Sequence, residues 1–227
     1  MDRVIVSIGG SVLIPGKEDS TYIKSLASVL KEVSNEVYLI VVCGGGQVAR
    51  YYSDIGKNLG GSIKQIDELC IEVTRINAGL LSMAIGGDGL KSVHTDIENC
   101  INMTSVGKVS IMGGTESGHT TDAVAAMIAK RYKANRIVNA SNVNAIYSDD
   151  PKKNPEATKY SKITIDELST IVYNKHVPCK SSVFDPLGVS IVKECKIDLV
   201  VVNGRNIKEL KNAILGKEIE GTYVNPC

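Results

Sequence analysis

A chain of 227 residues, 43% apolar and 22% charged, can bury the core of one large domain or two fused lobes, and it is too apolar for wholesale disorder. Its 26 Lys and Arg offset 25 Asp and Glu to a net charge of +1, which excludes attraction to nucleic acid through bulk charge. With one Phe and no Trp it also lacks the ring platforms on which single-stranded bases stack.

From the N-terminus, Val4-Ile5-Val6-Ser7-Ile8 is a β-branched run ending at Gly9-Gly10, the pattern of a buried strand entering a turn. Ser20 is placed to cap a helix whose Ile23, Leu26, Ala27, Leu30 and Val33 share one face. Val37–Cys43 is a second buried strand, broken by Gly44-Gly45-Gly46. A helix follows over Gln47–Ile55, then a longer one over Asp67–Ile85 that Gly86-Gly87-Asp88-Gly89 stops. Val109–Met112 is a strand before Gly113-Gly114, Ala123–Tyr132 is helical, and Arg136–Ala140 is again a strand. Pro151–Thr158 is a polar loop. Helices over Ile165–Tyr173 and Leu187–Cys195, the strand Leu199–Val202 and a helix over Ile207–Leu215 follow. This alternation predicts an α/β domain with a mostly parallel sheet covered on both faces.

Cys43, Cys70, Cys100, Cys179, Cys195 and Cys227 make no C-x-x-C pair, and only Cys179 lies near a histidine, His176. They read as free thiols of a reducing cytoplasm, with Cys43 a small core hydrophobe at a strand end, and not as a zinc site. No signal peptide opens the sequence, and its longest apolar run, Val37–Cys43, is too short to span a bilayer, so the expectation is a cytoplasmic protein with no membrane partner.

Three glycine turns each follow a strand: Gly9-Gly10-Ser11, Gly44-Gly45-Gly46 and Gly113-Gly114. Glycine lets backbone approach a phosphate closely, and a following helix offers free N–H groups, so three such turns point to phosphorylated ligands. No Walker A loop is present, because Gly16-Lys17 is followed by Glu18. Gly44, Gly46 and Ala49 satisfy G-x-G-x-x-A, but the acidic residue that should end the next strand is instead Asp67, at the start of a helix, which argues against a dinucleotide fold. Downstream, Gly114–Asp122 gathers a turn, hydroxyls and a carboxylate before a helix. Asn139–Lys153 gathers amides, a tyrosine ring, carboxylates and lysines in one loop, as a solvated turn or a nucleotide pocket would.

Taken together, Gly44-Gly45-Gly46-Gln-Val-Ala49-Arg50, Thr120-Thr121-Asp122-Ala123, Asn142-Val-Asn-Ala-Ile-Tyr147-Ser-Asp-Asp150-Pro151-Lys152-Lys153 and Asp185-Pro186-Leu187 resemble the amino acid kinase superfamily, and within it the archaeal type of uridylate kinase. The resemblance implies a three-layer αβα sandwich with a mostly parallel central sheet of about eight strands, as a single domain usually assembled into a homohexamer. It implies an acceptor lobe over about 1–135 and an ATP lobe over about 136–227, acting with Mg²⁺ to make UDP and ADP from UMP and ATP.

By position, the resemblance puts UMP against Gly45, Asp67 and the turn Gly114, Thr115, Glu116, Ser117, Gly118, His119 and Thr120, with Asp67 on the ribose and His119 on the acceptor phosphate. Gly9, Gly10, Ser11, Gly46 and Arg50 would surround the phosphates being exchanged. Asp122, with Arg50 and Gly10, would form the catalytic centre, and Ser141, Asn142, Tyr147 and Asp150 would line the ATP base and ribose. No side-chain metal site is expected, since Mg²⁺ would be held mainly by nucleotide phosphates.

Four positions depart from the family pattern. Ser7 stands where a catalytic lysine is common, Asn144-Ala145 replaces Asp-Gly, Ser117 replaces a proline, and Cys70 replaces a glycine. The same motifs also accommodate a kinase of carboxylate, carbamate or isopentenyl phosphate acceptors, or a non-catalytic ATP-binding storage or regulatory protein.

Overall fold

The computed structural model describes residues 1–16, 19–149, 151, 154–175 and 184–226. The expectations on Asp150, Lys152, Lys153, His176, Cys179 and Cys227 lie outside the described residues. The β-branched run at the N-terminus forms β1 (Arg3–Ile8), buried from Val4 onward, at the centre of an eight-stranded sheet. On one side of it lie β2 (Tyr38–Cys43), β4 (Val109–Met112) and the two-residue β3 (Val93–His94). On the other lie β5 (Arg136–Ser141), β9 (Asp198–Asn203), β10 (Thr222–Asn225) and β8 (Lys162–Thr164). The pairings from β3 across to β9 are parallel, and β10 turns the sheet by pairing antiparallel with β9. A separate two-stranded ribbon pairs β6 (Ile146–Tyr147) with β7 (Lys159–Tyr160).

Parallel neighbours need crossovers, and the helices that supply them cover both faces. One face of β1 carries Val4, Val6 and Ile8 against α1 (Gly10–Leu13), α2 (Asp19–Val33), α4 (Ile63–Ile85) and α9 (Ile207–Leu215). The other carries Ile5 against α5 (Ile97–Asn102), α6 (Thr121–Tyr132), α7 (Ile165–Lys175) and α8 (Pro186–Cys195). This is the three-layer αβα arrangement the sequence predicts. Cys43 is fully buried at the end of β2, and burial pushes its thiol up to about 12, so it is an inert core residue.

Several boundaries differ from the sequence reading. Ser20 lies inside α2, which begins at Asp19. Helix α3 (Gly46–Asn58) begins one residue before Gln47 and extends past Ile55. Helix α4 starts at Ile63, because Ser62 and Gln65 form a reciprocal capping box, so Asp67 sits in the second turn and not at the helix start. The short elements α1, β3, α5, β6, β7, β8 and β10 escape the periodicity argument, since two to six residues hold too few repeats to show a period.

Candidate functional site

The carboxyl ends of β1, β2 and β4 deliver the three glycine turns to one edge of the sheet, beside the end of β5 and around the β1/β5 boundary where the chain's crossovers reverse direction. Such an edge is where open α/β sheets bind ligands. There the first two turns meet backbone to backbone. A Cβ on Gly10 would strike the Gly46 amide and approach the Gly44 carbonyl oxygen to 2.5 Å; one on Gly46, at φ +65°, would lie 2.6 Å from the Gly10 carbonyl oxygen. Gly10, Gly44 and Gly46 are therefore demanded by the packing of the turns themselves, before any ligand is considered. Gly9 differs, with ordinary clearance to Ala140.

Arg50, five residues into α3, reaches back over the second turn and donates from Nη2 to Ser11 Oγ at 2.9 Å. An exposed guanidinium is thus fastened between the first two glycine turns, without a carboxylate partner among the described residues.

The third turn is held by one face of α4. Asp67 Oδ2 accepts from Ser117 Oγ at 2.9 Å and from the Gly118 backbone N–H at 2.7 Å. Thr74 Oγ1 accepts from the Gly114 N–H at 2.6 Å, and Arg75 donates to the Gly114 and Thr115 carbonyls, each at 3.2 Å. Asn77 Nδ2 donates to the carbonyls of Gly44 at 2.8 Å and Gly45 at 3.2 Å, so the same helix also secures the second turn. Sequence reading missed Thr74, Arg75 and Asn77. The available signal was two polar residues, Thr74 and Asn77, inside the apolar stripe of Ile71, Ala78 and Leu81, where a buried polar group needs a partner. Within the turn, Thr115 Oγ1 and His119 Nδ1 are buried without a hydrogen-bond partner, although Glu116 Oε1 lies 3.4 Å from His119 Nδ1. Thr120 caps α6 by accepting from the Ala123 N–H at 3.2 Å.

Asp122 occupies the first turn of α6, half-buried beneath the glycine turns, and its Oδ1 accepts from the Ser7 hydroxyl at 2.7 Å. Burial raises its carboxyl to about 6; the Ser7 hydrogen bond opposes that shift, and the charge of Asp185 adds to it. Asp185 caps α8 by accepting from the N–H groups of Leu187 at 2.8 Å and Gly188 at 3.1 Å.

On the β5 side, Ser141 ends its strand, and its carbonyl accepts from the Gly204 N–H at 2.8 Å. Asn142 follows in the loop, and Tyr147 sits on β6 opposite Lys159. Asn144, at the position of a family aspartate, accepts through Oδ1 from Asn203 Nδ2 at 2.8 Å, which ties this loop to the end of β9. Among the described residues no three His, Cys, Asp or Glu side chains gather as a metal cage, and no helix is long and apolar enough to cross a membrane.

The amino acid kinase family model matches residues 2–203. The chain belongs to the amino acid kinase family. Among members of this family, it is 38% identical to the uridylate kinase of Pyrococcus abyssi over 225 residues, covering 99% of this chain and all of the other. It is 36% identical to that of Methanosarcina acetivorans over 217 residues, covering 95% and 92%. The solved uridylate kinase of Archaeoglobus fulgidus superposes with a TM-score of 0.84 at 34% identity, covering 99% of this chain and all of that one. After the Gly44–Ala49 run the chain continues through α3 into α4, the helix that carries Asp67.

Proposed function

We propose that this protein is a uridylate kinase, transferring the γ-phosphoryl of ATP to UMP to give UDP and ADP for pyrimidine nucleotide synthesis. The observation that carries the reading is the clamp of α4 on the third glycine turn, joined to full-length similarity with archaeal uridylate kinases. Asp67, Thr74 and Arg75 pre-order a loop whose Thr115 and His119 keep buried polar atoms in reserve, which suits recognition of a polar acceptor.

In this reading UMP sits against Gly45, Asp67 and Gly114–Thr120 in the half of the chain before about residue 135, and ATP sits against Ser141, Asn142, Tyr147 and Asp150 in the half after it. Gly9, Gly10, Ser11, Gly46 and Arg50 lie between the two phosphate chains. The UMP phosphate is its own nucleophile, because the second ionisation of a phosphate monoester lies near ~6. One of its oxygens forms a bond to the γ-phosphorus as the bond to the β,γ-bridging oxygen breaks, and the electron pair leaves with ADP. No general base is needed. The protein's task is to align two polyanions and to meet the charge between them with the Arg50 guanidinium and the turn N–H groups, while Asp122 orients cations around the transferring group. Magnesium enters as part of the substrate Mg·ATP, held by the nucleotide's phosphates.

The protein acts in the cytoplasm as a homohexamer. Support for self-association comes from the side of α4 opposite the clamp, where Leu69, Ile76, Leu80 and Met83 recur every three, four or seven residues and are each at least 41% exposed. Phosphorus NMR of a mixture of UMP and Mg·ATP tests the reaction: the proposal expects resonances of UDP and ADP to grow together, and hydrolysis of ATP to phosphate without UDP would overturn it.

A further inference from the structure

We propose that Ser7 is the positioning residue for Asp122, orienting its carboxylate at the start of α6 and stabilising it as an anion. The meaning of the inference rests on the phosphotransfer reading above, while its content is the geometry of two side chains. Ser7 lies on β1 between Val42 of β2 and Asn139 of β5, and it is only 1% exposed. It shares a face with Ile5, under α6, where the neighbouring core is apolar. A hydroxyl at such a place costs stability unless it is hydrogen-bonded, and its bond runs to Asp122 Oδ1, 115 residues further along the chain. At 2.7 Å the contact is as short as a hydroxyl-to-carboxylate bond becomes when the acceptor is charged. The donor is rigid, being on a central strand, so it selects one direction for the carboxylate.

The surrounding charges leave this role to Ser7. From α8, Asp185 faces the carboxylate and works against its ionisation. On α6 itself, Lys130 is about 12 Å further down the helix and is held by Glu194 of α8, while Arg131 faces Glu98 of α5. Lys193 of α8 pairs with Asp166 of α7, and Arg50 of α3 reaches Ser11. Among the described residues no cation pairs with Asp122. Where a lysine would neutralise Asp122, a serine leaves its full charge available and sustains it with one neutral hydrogen bond.

The test uses Ser7→Ala and Ser7→Thr, each alone and combined with Asp122→Asn. In the protein without substrate, Ser7→Ala is expected to lower the melting temperature little at pH 5, where Asp122 is protonated, and progressively more towards pH 8. That pH dependence should vanish in the Asp122→Asn background, and Ser7→Thr, which keeps the hydroxyl, should behave as the unmodified protein. In turnover of UMP, the acidic limb of kcat should move up by about one pH unit in Ser7→Ala, because a hydrogen bond to a charged group is being lost. The plateau should fall less than about 10-fold. Substrate phosphates titrate alike in every variant, so the displacement between variants belongs to the protein. A melting deficit of equal size at pH 5 and pH 8, or one that at pH 8 adds fully to that of Asp122→Asn, makes Ser7 a packing residue and overturns the proposal. Because the melting measurement needs no substrate, it decides Ser7 even if UMP proves not to be the acceptor.

Discussion

Replacing Asp122 by asparagine separates the cost of a charge from its use. Burial lifts this carboxyl from 3.8 to about 6. The native state therefore binds the proton more tightly than the unfolded chain, and stability falls as pH rises through that window. The cost is absent below about pH 4 and complete above about pH 6. At roughly 1.4 kcal/mol per unit it amounts to about 3 kcal/mol, which partial solvent access reduces to about 1–2 kcal/mol. Asp122→Asn removes the charge and retains a group that can bond the Ser7 hydroxyl, so the variant should melt about 2–8 °C higher than the parent at pH 8 and no higher near pH 4. The same variant should lose at least ~100-fold in kcat, about 2.7 kcal/mol of barrier, since a neutral amide cannot arrange cations around a transferring phosphoryl. Differential scanning fluorimetry across pH and initial rates on one preparation measure both. A variant less stable than the parent at pH 8 that keeps most of its kcat would refute the reasoning on both counts.

Asp67→Ala should raise the KM for UMP more than it changes kcat, because ribose and loop contacts are alike in ground and transition states, whereas Arg50→Ala should cut kcat more than ~100-fold; steady-state kinetics giving one pattern for both would erase the distinction between their roles. Gly46→Ala places a Cβ against the Gly10 carbonyl at a positive φ and should cost about 3 kcal/mol, lowering the melting temperature by ~6–12 °C; an unchanged melting curve would show that the turns are not pressed together. Leu80→Glu, on the exposed stripe of α4, should reduce the mass seen by light scattering to that of smaller assemblies, and an unaltered mass would move the interface elsewhere.

The central layers were legible because β1 and β2 are short, continuous apolar runs ending at glycine, and α3 follows β2 almost at once. The candidate residues Asp67, Arg50 and Asp122 were legible as chemistry, but not their partners. Asp67 meets Ser117 and Gly118 across 50 and 51 residues, and Ser7 meets Asp122 across 115, separations at which no spacing rule operates. Ser7 could be recognised as a missing charge, yet only the packing of α6 over β1 reveals what its hydroxyl does instead. Asn144 likewise looked like a lost carboxylate, and the fold gives its amide a structural bond to Asn203.

The most direct test of the account is kcat/KM of the unmodified protein, by coupled release of ADP, for UMP against CMP, dCMP, acetylglutamate, carbamate and isopentenyl phosphate. The account predicts that UMP is the best acceptor, with CMP and dCMP well below it and no turnover of the rest. Equal or faster turnover with a non-nucleotide acceptor, or ATP binding with no turnover of any acceptor, would contradict it.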